Sequence, residues 1–406
     1  MKRIGYFDGL RGVAALVVVN EHLLKLFFAL AFSDAALRAA GSGIIEQMSF
    51  PPFNMLHNGA WAVCIFFVLS GYVLSYSFFK TASVGQADLV GKVAARYLRL
   101  AIPVTASLIF VWVLMLLGAF QFEEVALITQ SQEINQYGSI PTFTDIFKQG
   151  FGSALFLDDL RYNPPLWTMS VEMIGSIGIF LFQAIFLSFQ TNKYAFEIRI
   201  FIYFISIVLI FPTLYTGFIL GMMLCDIQNN EKTNKILEKY SKYWVPFSLI
   251  IGVMLCAYMI RGLYTNPYKI ITIQEFHPYH EYLYNTWGAF FLIAGMSYSK
   301  KFVSILGKAI PRFIGRISFS LYLTHYTVMS SLTAYLYLYL PFDNHVAKVF
   351  FAIALSLPVM FLVAYFFDKL VNKPTIIAAD FVKRRLILKI ARRKPNLSRE
   401  ILISRN

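Results

Sequence analysis

Ten runs of mostly apolar residues divide this chain, separated by shorter polar stretches. They cover roughly 10–32, 60–79, 99–119, 166–189, 198–211, 213–226, 244–262, 285–299, 317–340 and 347–370. A membrane-crossing helix needs about 20 such residues, somewhat fewer inside a bundle. The pattern therefore predicts an all-α fold, a polytopic transmembrane helix bundle of about ten spans. The fifth and sixth runs meet at Phe211-Pro212. Pro212 breaks a helix, so this stretch reads either as two spans joined by a tight turn or as one kinked span.

Composition points the same way. Only 14% of the 406 residues are charged and 58% are hydrophobic. A soluble domain carries about a quarter charged residues, so lipid is the expected solvent. The 40 Phe and 24 Tyr suit lipid-facing surfaces and interfacial belts. Cys64, Cys225 and Cys256 lie in apolar runs without a CxxC pairing, so neither a disulfide framework nor a metal site is expected.

The net charge of +14 fits either nucleic acid or anionic lipid as partner. Its distribution separates them. With both termini cytoplasmic, 28 of the 36 Lys and Arg fall on that side and seven on the other, with Arg11 inside the first span. That asymmetry follows the positive-inside rule and favours ten spans over nine. It predicts a transmembrane domain over 1–375 and a basic cytoplasmic tail over 376–406. The tail is expected on anionic lipid headgroups, and no nucleic-acid partner is expected. Two outer loops are long: 120–165, with six acidic residues, and 263–284, with Glu275, His277, His280 and Glu281. Lys2-Arg3 and Ala29-Leu30-Ala31 have the look of a signal peptide. Asp8, Arg11, Glu21 and His22 interrupt that run.

Those interruptions are the first candidate chemistry. A charge at span depth costs several kcal/mol, so it marks a functional candidate with an expected partner. Arg11 and His22 are eleven residues apart, close to three helical turns, and share one face about 16 Å apart. Asp8 is in reach of Arg11. An anchoring ion pair and a helix-stapling histidine are the plainer readings of the same residues. Ser70-Gly71 in the second run permits close helix packing. Arg96 and Arg99 lie on one face at the cytoplasmic start of the third, where they serve as anchors or as bidentate phosphate ligands. Pro164-Pro165 starts the fourth run, with Trp167 at the interface and Glu172 more than a turn deep. Ile317 to His325 in the ninth includes Ser318 and Tyr322.

Together these segments resemble the acyltransferase-3 family of bacterial membrane acyltransferases, which includes O-antigen and exopolysaccharide O-acetyltransferases. Asp8-Gly-Leu-Arg11-Gly followed by His22 looks like its Arg-x10-His signature. Phe66-Phe67-Val-Leu-Ser70-Gly71-Tyr72, Arg96-x-x-Arg99 with Pro103, and Leu166-Trp167-Thr-Met-Ser-Val-Glu172 are similar to three further motifs. Ser318 to His325 matches a Ser-Tyr-x-Leu-Tyr-Leu-x-His pattern, with Phe319 replacing Tyr. Glu172-Met173 stands where a pair of glutamates is often seen.

The resemblance implies transfer of an acyl group from cytoplasmic acyl-CoA to a hydroxyl of a cell-surface or exported glycan, or of a lipid-linked sugar. The group is usually acetyl. Acetyl-CoA is then a donor substrate, and no permanently bound cofactor is expected. The place is the bacterial inner membrane. Acyl transfer to a hydroxyl needs a base near neutral pH, which suits imidazole. His22 and Glu172 are the expected catalytic pair, with His22 either acylated itself or taking the acceptor's proton. Arg11, Arg96 and Arg99 are expected to bind acyl-CoA. Asp8, Ser70, Trp167, Tyr322 and His325 are expected to support the channel. A transporter or flippase also places ionisable groups in spans, but more often shows inverted repeats. None is visible here.

Overall fold

The computed structural model describes residues 5–29, 52–80, 85–131, 137, 139–258 and 280–393. Lys2, Arg3, Ala31, Glu275, His277 and the tail beyond 393 lie outside them. Among the described residues there is no strand. The α-helices longer than three residues are α1 (Gly5–Phe27), α2 (Gly59–Lys80), α3 (Gln86–Leu116), α4 (Phe122–Thr129), α5 (Phe143–Lys148), α6 (Trp167–Leu187), α7 (Ala195–Ile210) and α8 (Tyr215–Asn229). They continue with α9 (Glu231–Lys239), α10 (Ser241–Cys256), α11 (His280–Tyr298), α12 (Lys300–Leu306) and α13 (Ala309–Val328). After these come α14 (Ala334–Tyr339), α15 (His345–Phe367) and α16 (Lys373–Arg393).

Every apolar run thus contains a helix, but the helices differ in how well they suit a bilayer. Four described helical stretches are long and apolar enough to cross one: Gly59–Lys80, Ala87–Leu116, Pro164–Leu187 and His345–Ile390. A fifth, Glu281–Tyr298 with Lys300–Leu306, is bent by 98° at its break. Any 18-residue stretch of α1 holds at least three charged residues. α7 and α8 have 16 and 15 residues, about 22–24 Å at 1.5 Å per residue.

The Phe211-Pro212 ambiguity resolves into two antiparallel helices. Arg199, near the start of α7, forms a bidentate pair with Asp226, near the end of α8, at 2.6 and 2.8 Å. Tyr203 donates to the same carboxylate at 3.1 Å. A single kinked rod cannot bring residues 27 positions apart into this contact.

α1 sits in the middle of the bundle. Ala14, Val17 and Val18 join one apolar core, while Ala15, Val19 and Leu23 join a second. Its polar residues are therefore enclosed from both sides. Along one side it packs on α13. Here Gly12 and Gly315 bring the two backbones together, and a methyl group on Gly315 would fall on the Asp8 carbonyl. Gly71 of α2 and Gly221 of α8 do the same for that pair, the small-residue crossing expected of helices in lipid.

α16 does not stand apart from the bundle. It packs along the first turns of α3, with Gly91 against Lys383 and Ile387. Asp88 holds Lys92 at 2.9 Å and Lys383 at 3.0 Å. The expected domain boundary at 375/376 falls inside this helix.

The loop before α6 is braced by Asp159. Its carboxylate accepts from Arg161 Nε at 2.9 Å and Nη2 at 2.8 Å, from Ser153 Oγ at 2.7 Å and from Gln149 Nε2 at 3.1 Å. Burial pushes this carboxyl up, but the bonds from Arg161 and Ser153 outweigh it and hold it at about 2. In an unfolded chain Asp titrates near about 3.9. The pairing therefore stabilises the fold above that value, and the stabilisation drains away as pH falls towards 2. Asp159→Asn is expected to lower Tm in detergent at pH 6, with the gap to the parent narrowing between pH 4 and 2. A gap that stays constant over that range contradicts the pairing.

Candidate active site

A cavity of about 190 Å³ opens where α1, α2, α3, α6, α13 and the start of α16 converge. α1 contributes Asp8 and Arg11, α2 Ser70, α3 Arg96 and Arg99, and α6 Thr168 and Glu172. α13 contributes Arg316, Ser318 and Tyr322, while Asn372 and Ile376 close it from the C-terminal side. Four arginines against two carboxylates leave a formal charge of +2 in a recessed site. Such a site concentrates anions.

The prolines explain how Glu172 gets there. Pro164–Leu166 forms a short 3-10 turn from which α6 starts. Asn163 Nδ2 donates to the Leu323 carbonyl at 2.9 Å, which ties that start to α13. Tyr322 OH donates to the Pro165 carbonyl at 2.9 Å and lies 2.8 Å from Thr168 Oγ1. Glu172 then points at α2 and α3. It accepts from Ser70 Oγ and is ion-paired with Arg96. Arg96 Nε also donates to Ser176 Oγ at 2.9 Å. The Arg96 and Glu172 side chains are only 15% and 13% exposed, so each charge has the partner that burial demands.

The arginines expected to act alike are not equivalent. Arg96 turns inward to Glu172. Arg11 lies 4.0 Å from Asp8, whose side chain is 8% exposed. Arg99 is exposed at the mouth. Arg316 is exposed as well and stacks on Phe313 at 5.9 Å. Among the described residues it has no carboxylate within ion-pair distance.

His22 and His325 stand apart from the cavity walls and against each other. Their ring centroids are 5.3 Å apart, and Tyr326 meets His22 edge-on at 5.2 Å. Gly12 meets Gly315, and ten residues on His22 meets His325, so α1 and α13 run parallel in constant register. His325 Nδ1 lies 3.0 Å from the Leu321 carbonyl and 2.9 Å from that of Tyr322. A carbonyl only accepts, so Nδ1 carries the proton and the lone pair of neutral His325 is on Nε2. Tyr322 links the two regions: it lines the cavity, and its ring lies 6.0 Å from His325. Glu21, next to His22, pairs with Lys25 at 2.7 Å. Trp167 is half-buried, 5.9 Å from the Tyr282 ring.

Seven of the ten residues singled out from sequence therefore line one cavity: Asp8, Arg11, Ser70, Arg96, Arg99, Glu172 and Tyr322. His22, His325 and Trp167 do not. Arg316, Ser176, Thr168 and Asn372 went unnoticed in the sequence as site residues. Arg316 was countable only as a topological charge. Its signal was its position two residues ahead of Ser318. Ser176 had one too, four residues after Glu172 and so on the same helix face.

The acyltransferase domain family matches residues 4–367. The O-acetyltransferase PaAT-1 of Phomopsis amygdali is 23% identical over 383 residues, covering 80% of this chain and 72% of the relative. Acyltransferase R4 of a Phoma species is 24% identical over 224 residues, and acyltransferase clz18 of Cochliobolus lunatus is 24% identical over 225. Each of these two alignments covers 43% of this chain and 47% of the relative, so the chain spans about half the length of both. No solved structure matches.

Proposed function

The chain belongs to the acyltransferase-3 family, and from that premise we propose that it moves an acyl group from cytoplasmic acyl-CoA to a hydroxyl of a cell-surface or exported glycan. The acyl group is acetyl in this reading, as the name of the Phomopsis O-acetyltransferase has it. The setting is a bundle of about ten spans with both termini cytoplasmic, in a bacterial inner membrane. Its basic C-terminal segment lies against anionic headgroups.

The observation that carries this reading is the arginine-lined cavity, joined through Tyr322 to the histidine pair. CoA is a polyanion, and guanidinium is the side chain that binds phosphate bidentately. Arg99 and Arg316, exposed at the mouth, take the phosphates. Arg11 lies deeper. Arg96 acts through Glu172, holding it and Ser70 in place. Ring contact with His325, tilted by 41°, holds the His22 imidazole in place as the proton moves.

The chemistry is one displacement. His22 takes the acceptor hydroxyl's proton, the oxygen attacks the thioester carbonyl carbon, the C–S bond breaks, and the CoA thiolate leaves with that proton. Glu172 orients the acceptor or tunes the base.

Donor binding tests the reading. Purified protein in detergent is expected to bind acetyl-CoA, and Arg316→Ala to weaken it about tenfold, the equivalent of about 1.4 kcal/mol. Unchanged affinity removes Arg316 from the donor site, and no acetyl-CoA binding by the parent protein removes the donor. Mass spectrometry of surface glycans from cells with and without the gene tests the acceptor. An acyl increment present in both rules the glycan out.

A further inference from the structure

Beside the cavity, α3 and the continuous α15–α16 helix leave a second space between them. Ala106, Ile109 and Phe110 of α3 face Leu362, Phe366 and Leu370 across a groove of about 390 Å³. All of its lining side chains are apolar. Both bounding helices are among those apolar and long enough to cross a bilayer. Leu370 is 69% exposed and Leu362 54%, so the groove opens sideways, away from the bundle.

One end of this groove is cationic. On α3, Arg99 precedes Ala106 by seven residues and Phe110 by eleven. At 3.6 residues per turn these three share a face, with Arg99 about 10 Å from Ala106 along the axis. On the other helix, Lys369 follows Leu362 by seven residues and directly precedes the lining residues Leu370 and Val371. Arg99 and Lys369 are both exposed. Among the described residues Lys369 has no carboxylate within ion-pair distance. Thus each helix carries one cation towards the same end of the groove, Lys369 beside the last lining residues Leu370 and Val371. An apolar slot with a positive end is complementary to a molecule with a hydrocarbon chain and an anionic head.

We propose that the groove seats an acyl chain of an anionic membrane phospholipid, with its phosphate held by Lys369, while Arg99 lines the neighbouring cavity. The chain restores the dispersion contacts that an unfilled groove forgoes. Lys369 extends along the apolar surface with its ammonium at headgroup level. Val371 ends the groove and Asn372 lines the cavity, so the lipid borders the site on the residue next door. The lipid site stands whether or not the cavity takes acyl-CoA.

Native mass spectrometry of the full chain in detergent tests this, with phosphatidylglycerol and phosphatidylcholine of identical chains as probes. Phosphatidylglycerol is expected to be retained about fivefold better, as one Lys or Arg at a lipid surface gives. Lys369→Glu is expected to abolish that preference, and it disturbs no packing because the residue is exposed. Ala106→Trp fills the groove and is expected to remove the retained lipid of either class. Equal retention of the two lipids by the parent overturns the proposal. So does undiminished phosphatidylglycerol in Ala106→Trp. Retention of palmitoyl-CoA in place of phospholipid, lost in Ala106→Trp, assigns the groove to a different occupant and overturns it too.

Discussion

His22→Ala is expected to lower acyl transfer by about 10²- to 10⁴-fold, the usual contribution of a positioned proton acceptor. Donor affinity is expected to stay within about twofold, because His22 is not among the residues lining the arginine cavity and phosphate contacts supply the affinity. The split between turnover and binding matters. A histidine that merely staples α1 to α13 through its ring contacts with His325 and Tyr326 leaves the chemistry intact once the helices are in place. His22→Gln sharpens the test, since it keeps a polar side chain of similar reach without a titratable nitrogen. Intact transfer by either variant, in protein that is inserted and monodisperse, removes His22 from the reaction. Acyl transfer to His22 itself is a separate outcome. It is read by mass spectrometry of the protein after mixing with donor in the absence of acceptor.

Arg96→Met is expected to cost about 3–5 kcal/mol of stability, because it strands a buried carboxylate. Glu172 is 13% exposed, and Ser70 and Arg96 both bond to it. Removing the cation leaves the Ser70 hydroxyl donating to Oε1. The double variant Arg96→Met/Glu172→Met is expected to recover most of the loss, since a buried pair often exchanges for apolar side chains at little cost. Denaturant unfolding in detergent reads both. A double variant as unstable as the single one shows that the cost comes from packing and not from a stranded charge. Activity is expected to be low in both, which separates Arg96 from Arg316: loss at Arg316 falls on donor affinity with stability unchanged.

Most of the helical architecture was legible because its cause is local. A run of about 20 apolar residues has few alternatives in lipid, where every backbone polar group must be paired within the segment. Pro164-Pro165 marked the start of α6 for a similarly local reason, a fixed φ and a missing N–H. Phe211-Pro212 was not legible in that way, since proline breaks a helix without saying which way the chain continues. The Arg199–Asp226 pair answers that, and it joins residues from two helices. Arg96 shows the same limit in the site. Beside Arg99 it read as one of two equivalent phosphate ligands, and a facing helix made it the partner of Glu172.

The sequence by itself determined that the chain is helical and apolar, that α1 carries ionisable groups within an apolar run, and that its motifs resemble those of membrane acyltransferases. Those properties depend on residue type and on spacing within one helix. Only the tertiary structure decided that Arg11, Arg96, Arg99 and Arg316 share a cavity with Asp8 and Glu172, and that His22 meets His325 beyond it. It also decided that α3 and the α15–α16 helix leave an apolar groove with Lys369 beside its last lining residues. Each of these depends on which helix faces which. That choice is made where small residues such as Gly12 and Gly315 let two backbones touch, through contacts spread over some 300 residues of chain, and no local pattern encodes it.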